Sequence, residues 1–146
     1  MSFKPRAAHF IRVATEVLPG VWLGDINDGK DFPGPRLAVV SPNEKLWEGE
    51  VRVPIEAPGA WNGERTVILP EKMEEAAVVL DRYLASRGRC LVRCAEGIQR
   101  SPLFLAYWLV TRKGQTWEEA YRLLKERRPQ VRDERGWLPE GYLPPP

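Results

Sequence analysis

From Cys94 to Ser101 the chain reads Cys-Ala-Glu-Gly-Ile-Gln-Arg-Ser, a thiol and a guanidinium separated by five residues and followed by a hydroxyl. Each part has a use if the ligand is a phosphate. The intervening residues can wrap a loop whose N–H groups point inward as an anion-binding nest. Gly97 permits backbone geometry that a side chain would forbid. A helix opening at Ser101-Pro102 adds free N–H groups and the positive end of its dipole. That field favours the thiolate of Cys94, the nucleophilic form. Arg100 returns to the mouth of the loop, where its planar fork can hold two phosphate oxygens. Ser101 can donate a hydrogen bond to the sulfur and make it a better leaving group. The chemistry is attack on phosphorus, a phosphocysteine intermediate and hydrolysis by water. Cys94, Arg100 and Ser101 are the catalytic candidates, and Ala95, Glu96, Gly97, Ile98, Gln99 and Arg100 the phosphate-binding loop.

Such a loop needs a strand before it and a helix after it, and the flanking patterns supply both. Cys90 to Cys94 is a short, mostly apolar strand. Leu103, Leu105, Ala106, Tyr107, Leu109 and Val110 make the following helix mostly buried, and Gly114 ends it. Thr116-Trp117-Glu118-Glu119 reads as a capping box, opening a further helix that runs to Pro129. Upstream, Val21-Trp22-Leu23 and Leu37 to Val40 read as strands. Asn27-Asp28-Gly29 and Pro33-Gly34-Pro35 mark a loop between them. Val51, Val53 and Ile55 alternate as another strand, which Pro54 places at an edge or an irregular end. Pro70 opens a helix carrying Met73, Ala77, Leu80 and Leu84 on one face, with Gly88 at its C-cap. Strands alternating with helices predict a single α/β domain over residues 1–142, a mainly parallel sheet flanked by helices, and a Pro-rich tail at 143–146.

The composition narrows the partners. In 146 residues, 22 Lys and Arg oppose 20 Asp and Glu, a net charge of +2, too small to favour nucleic acid or a membrane surface. No stretch approaches the ~20 apolar residues of a membrane span. One His and two Cys provide neither a zinc set nor a disulfide framework, so the chemistry calls for no metal or cofactor and the expected setting is the cytoplasm. The arginines between 112 and 135 are interleaved with Glu118, Glu119 and Glu126 and read as a solvated helix face. Cys90 reads as core, with a redox backup role as the lesser alternative.

The segment Leu91-Val92-Arg93-Cys94-Ala95-Glu96-Gly97-Ile98-Gln99-Arg100-Ser101-Pro102 resembles the signature of the cysteine-based protein tyrosine phosphatases, in particular the compact dual-specificity branch. The similarity extends through Ala106-Tyr107-Trp108-Leu109, Trp117 to Tyr121 and Glu126-Arg127-Arg128-Pro129, and Val17 to Gly24 looks like that branch's opening strand. The resemblance implies a phosphate monoester hydrolase, acting as a monomer on a phosphotyrosine-like ester. It also implies an Asp general acid in a loop well before the cysteine, and a His immediately before the cysteine. Here Arg93 takes the place of that His, as added positive charge or as a solvated or ion-paired side chain. No Asp lies between Ile55 and Pro70. Glu56 is the first candidate acid, Glu64 the second and Glu96 a distant third, and Trp61 is a candidate to stack on an aryl ring at the entrance. Losing a positioned acid costs ~10²–10⁴-fold in rate, least for aryl esters. Glu96 and the lack of Lys in the loop weigh against polyphosphorylated lipids, while Arg87, Arg89, Arg93 and Arg100 predict a basic neighbourhood. The alternative reading is a phosphate- or phosphoprotein-binding module that keeps the cradle without catalysis.

Overall fold

A computed structural model describes residues 14–55 and 70–138. It contains five strands, β1 (Thr15–Leu18), β2 (Val21–Gly24), β3 (Arg36–Val40), β4 (Val51–Pro54) and β5 (Cys90–Arg93). The helices are α1 (Ile26–Asp31), α2 (Pro70–Arg87), α3 (Arg100–Lys113) and α4 (Trp117–Arg127), and a 3₁₀ turn spans Arg135–Trp137. The sheet runs β1-β2-β5-β3-β4, antiparallel between β1 and β2 and parallel elsewhere. The α/β class and the mainly parallel sheet agree with the sequence patterns, and β4, which contains Pro54, is an edge strand.

Alternation along the strands sorts the sheet into two faces. Val21, Leu23, Leu37, Val39, Val53, Cys90 and Val92 enter the main core with Leu80 of α2, Leu103 of α3 and Leu124 of α4. Every residue from Ser101 to Val110 is buried, which is why α3 has no polar face over that stretch. The other face carries Ala38, Val40, Leu91 and Arg93, all buried outside that core.

Two upstream expectations are corrected. Asn27-Asp28-Gly29 lies inside α1, because Asp25 accepts from the Asn27 and Asp28 amides while Asp28 accepts from the Asp25 amide, a reciprocal cap that turns loop-forming residues into a helix start. Val17 to Gly24 is two strands joined through Pro19 and Gly20, whose φ of 82° suits a tight turn. Downstream, Thr116 and Glu119 form the expected capping box, and Gly114 closes α3 with φ 67°.

Candidate active site

Parallel β5 ends in the middle of the sheet, and the next residues turn without regular structure until α3 begins at Arg100. This places Cys94 at the C-terminal ends of the parallel strands, against the N-terminus of a buried helix, where ligands of open α/β sheets bind. Cys94 is 2% exposed. Its Sγ accepts from Ser101 Oγ at 3.0 Å and from the Gly97 amide at 3.3 Å. Sulfur, hydroxyl and loop amide therefore converge as the residue spacing predicts. Gly97 adopts φ 74°, and a Cβ there would lie 2.6 Å from the Gly24 carbonyl oxygen, so both backbone conformation and space require glycine.

The loop is held from behind by an arginine whose role the sequence pattern concealed. Arg128, just past α4, is 4% exposed. Its guanidinium donates to the carbonyls of Gly97 (3.0 Å) and Glu96 (3.2 Å), to Leu23 O (3.5 Å) and to Thr15 Oγ1 (3.0 Å). The solvated face expected for the arginines between 112 and 135 is thus wrong for Arg128, because loop carbonyls that turn their amides inward must find donors elsewhere. Arg112 and Arg135 are ion-paired as well, to Glu74 and Asp81 and to Glu118 and Asp133.

In front, both terminal nitrogens of Arg100 donate to Glu44, Nη2 at 3.0 Å from Oε1 and Nη1 at closer range to Oε2. Burial pushes the Glu44 carboxyl upward, but hydrogen bonds from Arg100 and the Ser41 amide outweigh it and bring its pKa down to about 2. Glu44 is a site residue that the motif did not reveal. Its only sequence signal is an acid just past the end of β3, near the switch from β3 to its neighbour β5.

Arg93 is ion-paired rather than solvated: its side chain, 1% exposed, meets that of Glu50, 0% exposed, with Nε to Oε2 at 2.7 Å and Nη2 to Oε1 at 2.5 Å. It faces the side of the sheet opposite Val92 and is neutralised there by Glu50, so it adds no unneutralised charge to the loop. Of the basic neighbourhood expected from Arg87, Arg89, Arg93 and Arg100, Arg89 lines the cleft beside the loop, while Arg93 and Arg100 each take a carboxylate and Arg87 lies in the last turn of α2. Cys90 is buried in the core as expected, its thiol pushed up to about 12 by desolvation. Glu56, Trp61 and Glu64 lie outside the described residues.

Beside the loop opens a cleft of about 1130 Å³, lined by Glu96 and Ile98 of the loop, by Asp25, Asp28 and Asp31 of the α1 region, and by Arg89 and Arg128. Burial, with repulsion from the Asp25 carboxylate added, raises the Asp28 pKa to about 6 against the hydrogen bond from the Asp25 amide. Glu96 is exposed at the rim of this cleft.

Comparison with known proteins decides the family. The family model for the dual specificity phosphatase catalytic domain matches residues 42–139, more than half of the chain. The chain belongs to the dual-specificity phosphatases. Human dual specificity protein phosphatase 16 is 32% identical over 59 residues, 40% of this chain and 9% of that protein. The crystal structure of DUSP15 superposes with a TM-score of 0.70 at 21% identity, covering 86% of this chain and 83% of that one. A human DUSP28 variant gives 0.69 at 20% identity, with 85% and 88% covered. This dual-specificity phosphatase domain thus shares the fold of those structures, and no described helix is long and apolar enough to cross a membrane.

Proposed function

We propose that the chain hydrolyses phosphate monoesters through a phosphocysteine intermediate on Cys94, with phosphotyrosine-like esters as its substrates. The observation that carries this reading is the convergence of Ser101 Oγ and the Gly97 amide on Cys94 Sγ at the start of a buried helix. The thiolate attacks phosphorus while Arg100 and the loop amides bind the equatorial oxygens, and the P–O bond to the leaving group breaks. Water then attacks the phosphocysteine, and the S–P bond breaks with its electron pair returning to Cys94. The Ser101 hydroxyl hydrogen bond stabilises the departing thiolate.

Glu56 is the first candidate to protonate the leaving oxygen and Glu64 the second. An aryl ester depends least on either, since a phenolate leaves more readily than an alkoxide. Along the adjoining cleft the carboxylates of Asp25, Asp28, Asp31 and Glu96 outnumber the guanidiniums of Arg89 and Arg128, which disfavours a second phosphate beside the first. That supports a singly phosphorylated group on a protein over a polyphosphorylated lipid.

Hydrolysis of p-nitrophenyl phosphate by wild type, Cys94→Ser and Glu56→Gln tests the proposal. Wild type turns over, Cys94→Ser loses activity by roughly 10³-fold or more, and Glu56→Gln loses ~10²–10⁴-fold if it is the acid. Absence of turnover by wild type, with vanadate still bound, selects the binding module instead.

A further inference from the structure

We propose that Arg93 and Glu50 are positioning residues for the phosphate loop, acting through Glu44 on Arg100. The inference rests on the reading of Cys94 to Ser101 as a phosphate site. Its starting point is a coincidence of spacing. Arg93 and Arg100 stand at the two ends of the loop, and each holds a carboxylate from one segment, residues 41–50. Arg93 takes Glu50 and Arg100 takes Glu44.

The Glu50 end of that segment is fastened in three directions. Glu50 Oε1 accepts from the Trp47 amide at 2.7 Å as well as from Arg93. The Trp47 indole donates to Ile26 O at 2.7 Å, and the Ile26 amide donates to Ala95 O at 3.0 Å, next to the nucleophile. Gly29 of α1 lies over the pair so closely that a Cβ would stand 2.5 Å from Glu50 Oε2 and 2.9 Å from Arg93 Nε. The Glu44 end is seated on the Ser41 amide at 2.7 Å. Between these anchors the segment has no helix or strand; Arg36 donates to Glu48 O and Arg52 to Ser41 O, which tie it to the sheet, while the two glutamates tie it to the arginines at the ends of the loop. Glu44 sets the plane of the Arg100 guanidinium, and the Arg93–Glu50 pair sets the place of Glu44. A bidentate phosphate contact tolerates little rotation of that plane, which gives the remote pair a route to affinity.

A buried ion pair contributes little net stability, and apolar residues of similar volume replace it with little loss. The decisive variant is therefore the double replacement Arg93→Met with Glu50→Leu, compared with Glu44→Gln and with the triple variant. Vanadate affinity, kcat and KM on p-nitrophenyl phosphate and the unfolding midpoint are measured for each. The double variant is expected to melt somewhat below wild type, because Glu50→Leu leaves the Trp47 amide without its acceptor, and to bind vanadate about tenfold more weakly, with the loss on the aryl ester falling on KM. In the Glu44→Gln background the same double replacement changes vanadate affinity less than about twofold, because the segment then has no carboxylate to place. If the double variant melts well below wild type, Glu50→Gln, which keeps the shape of the side chain, enters the same comparison. Wild-type affinity in the double variant, or effects that add to those of Glu44→Gln, overturns the positioning role and leaves the phosphate site standing. A wild type that binds no vanadate overturns both.

Discussion

The sulfur of Cys94 accepts from two neighbours of different kind, a backbone amide and a hydroxyl. In the proposed mechanism Ser101→Ala removes only the second, so the first chemical step survives and breakdown of the intermediate slows. A net hydrogen bond near 1.4 kcal/mol converts to about tenfold in rate. Rapid-quench kinetics on an aryl phosphate are expected to show a burst of phenolate absent from wild type. Glu44 belongs to the same scale but keeps its charge: with a pKa of about 2 it is ionised at every working pH, so it contributes no limb to a pH–rate profile above about pH 3. Asp28 behaves oppositely. Its pKa of about 6 in the folded chain lies above the ordinary 3.8, so the folded state holds the proton more tightly than the unfolded state does. Its charged form costs stability above pH 6, and that cost fades as the pH falls from 6 to 4. Asp28→Asn is expected to raise the unfolding free energy at pH 8, by up to about 1 kcal/mol after allowing for solvent screening. The gain should disappear at pH 4.

The loop and the helices around it differ in what they tolerate. Gly97 is constrained by its φ and by the Gly24 carbonyl at once. A left-handed conformation alone costs a residue with Cβ about 1–2 kcal/mol, and the close approach adds to it. Gly97→Ala is therefore expected to lower urea stability by at least that amount and to weaken vanadate binding together with it. Thr116→Ala opens the capping box of α4, far along the chain from the loop, and costs about 1 kcal/mol with vanadate affinity unchanged. At this scale much was legible. The boundaries of α3 and α4 and the edge position of β4 follow from Gly114, from the Thr116 box and from Pro54. Helix α1 was not legible, because Asn, Asp and Gly are turn formers until Asp25 and Asp28 cap one another.

Across the molecule, the loop from Cys94 to Arg100 is a junction between parts remote in sequence. Arg128 binds it to the first two strands from behind, while Glu44 and Glu50 grip the arginines at its ends from the segment after β3. Replacing Arg128 leaves buried carbonyls of the loop without a donor, at about 1–3 kcal/mol each for an unsatisfied buried group. Arg128→Met is expected to lower the unfolding midpoint and to raise the hydrogen-exchange rates of the Gly97 amide and its neighbours, with α2 unaffected. Uniform loss of protection over the chain would show instead that Arg128 acts on global stability alone.

Local chemistry sufficed for the α/β class and for the loop that brings Ser101 and the Gly97 amide to the Cys94 sulfur, because a thiol, a glycine and a hydroxyl at fixed spacing act through backbone geometry that nearest neighbours impose. Three partners of that loop were invisible in the pattern. Arg128 sits in a run of exposed-looking charges, and Glu44 and Glu50 sit in a polar stretch with no period. Only the strand order β2-β5-β3, which sets β5 between two strands that precede it in the chain by tens of residues, brings them to Cys94. A charge has no intrinsic preference for the inside. Whether it is solvated or buried is decided by the partner that tertiary structure delivers, and Arg93 and Arg128 are buried because a carboxylate and a set of orphan carbonyls wait for them there.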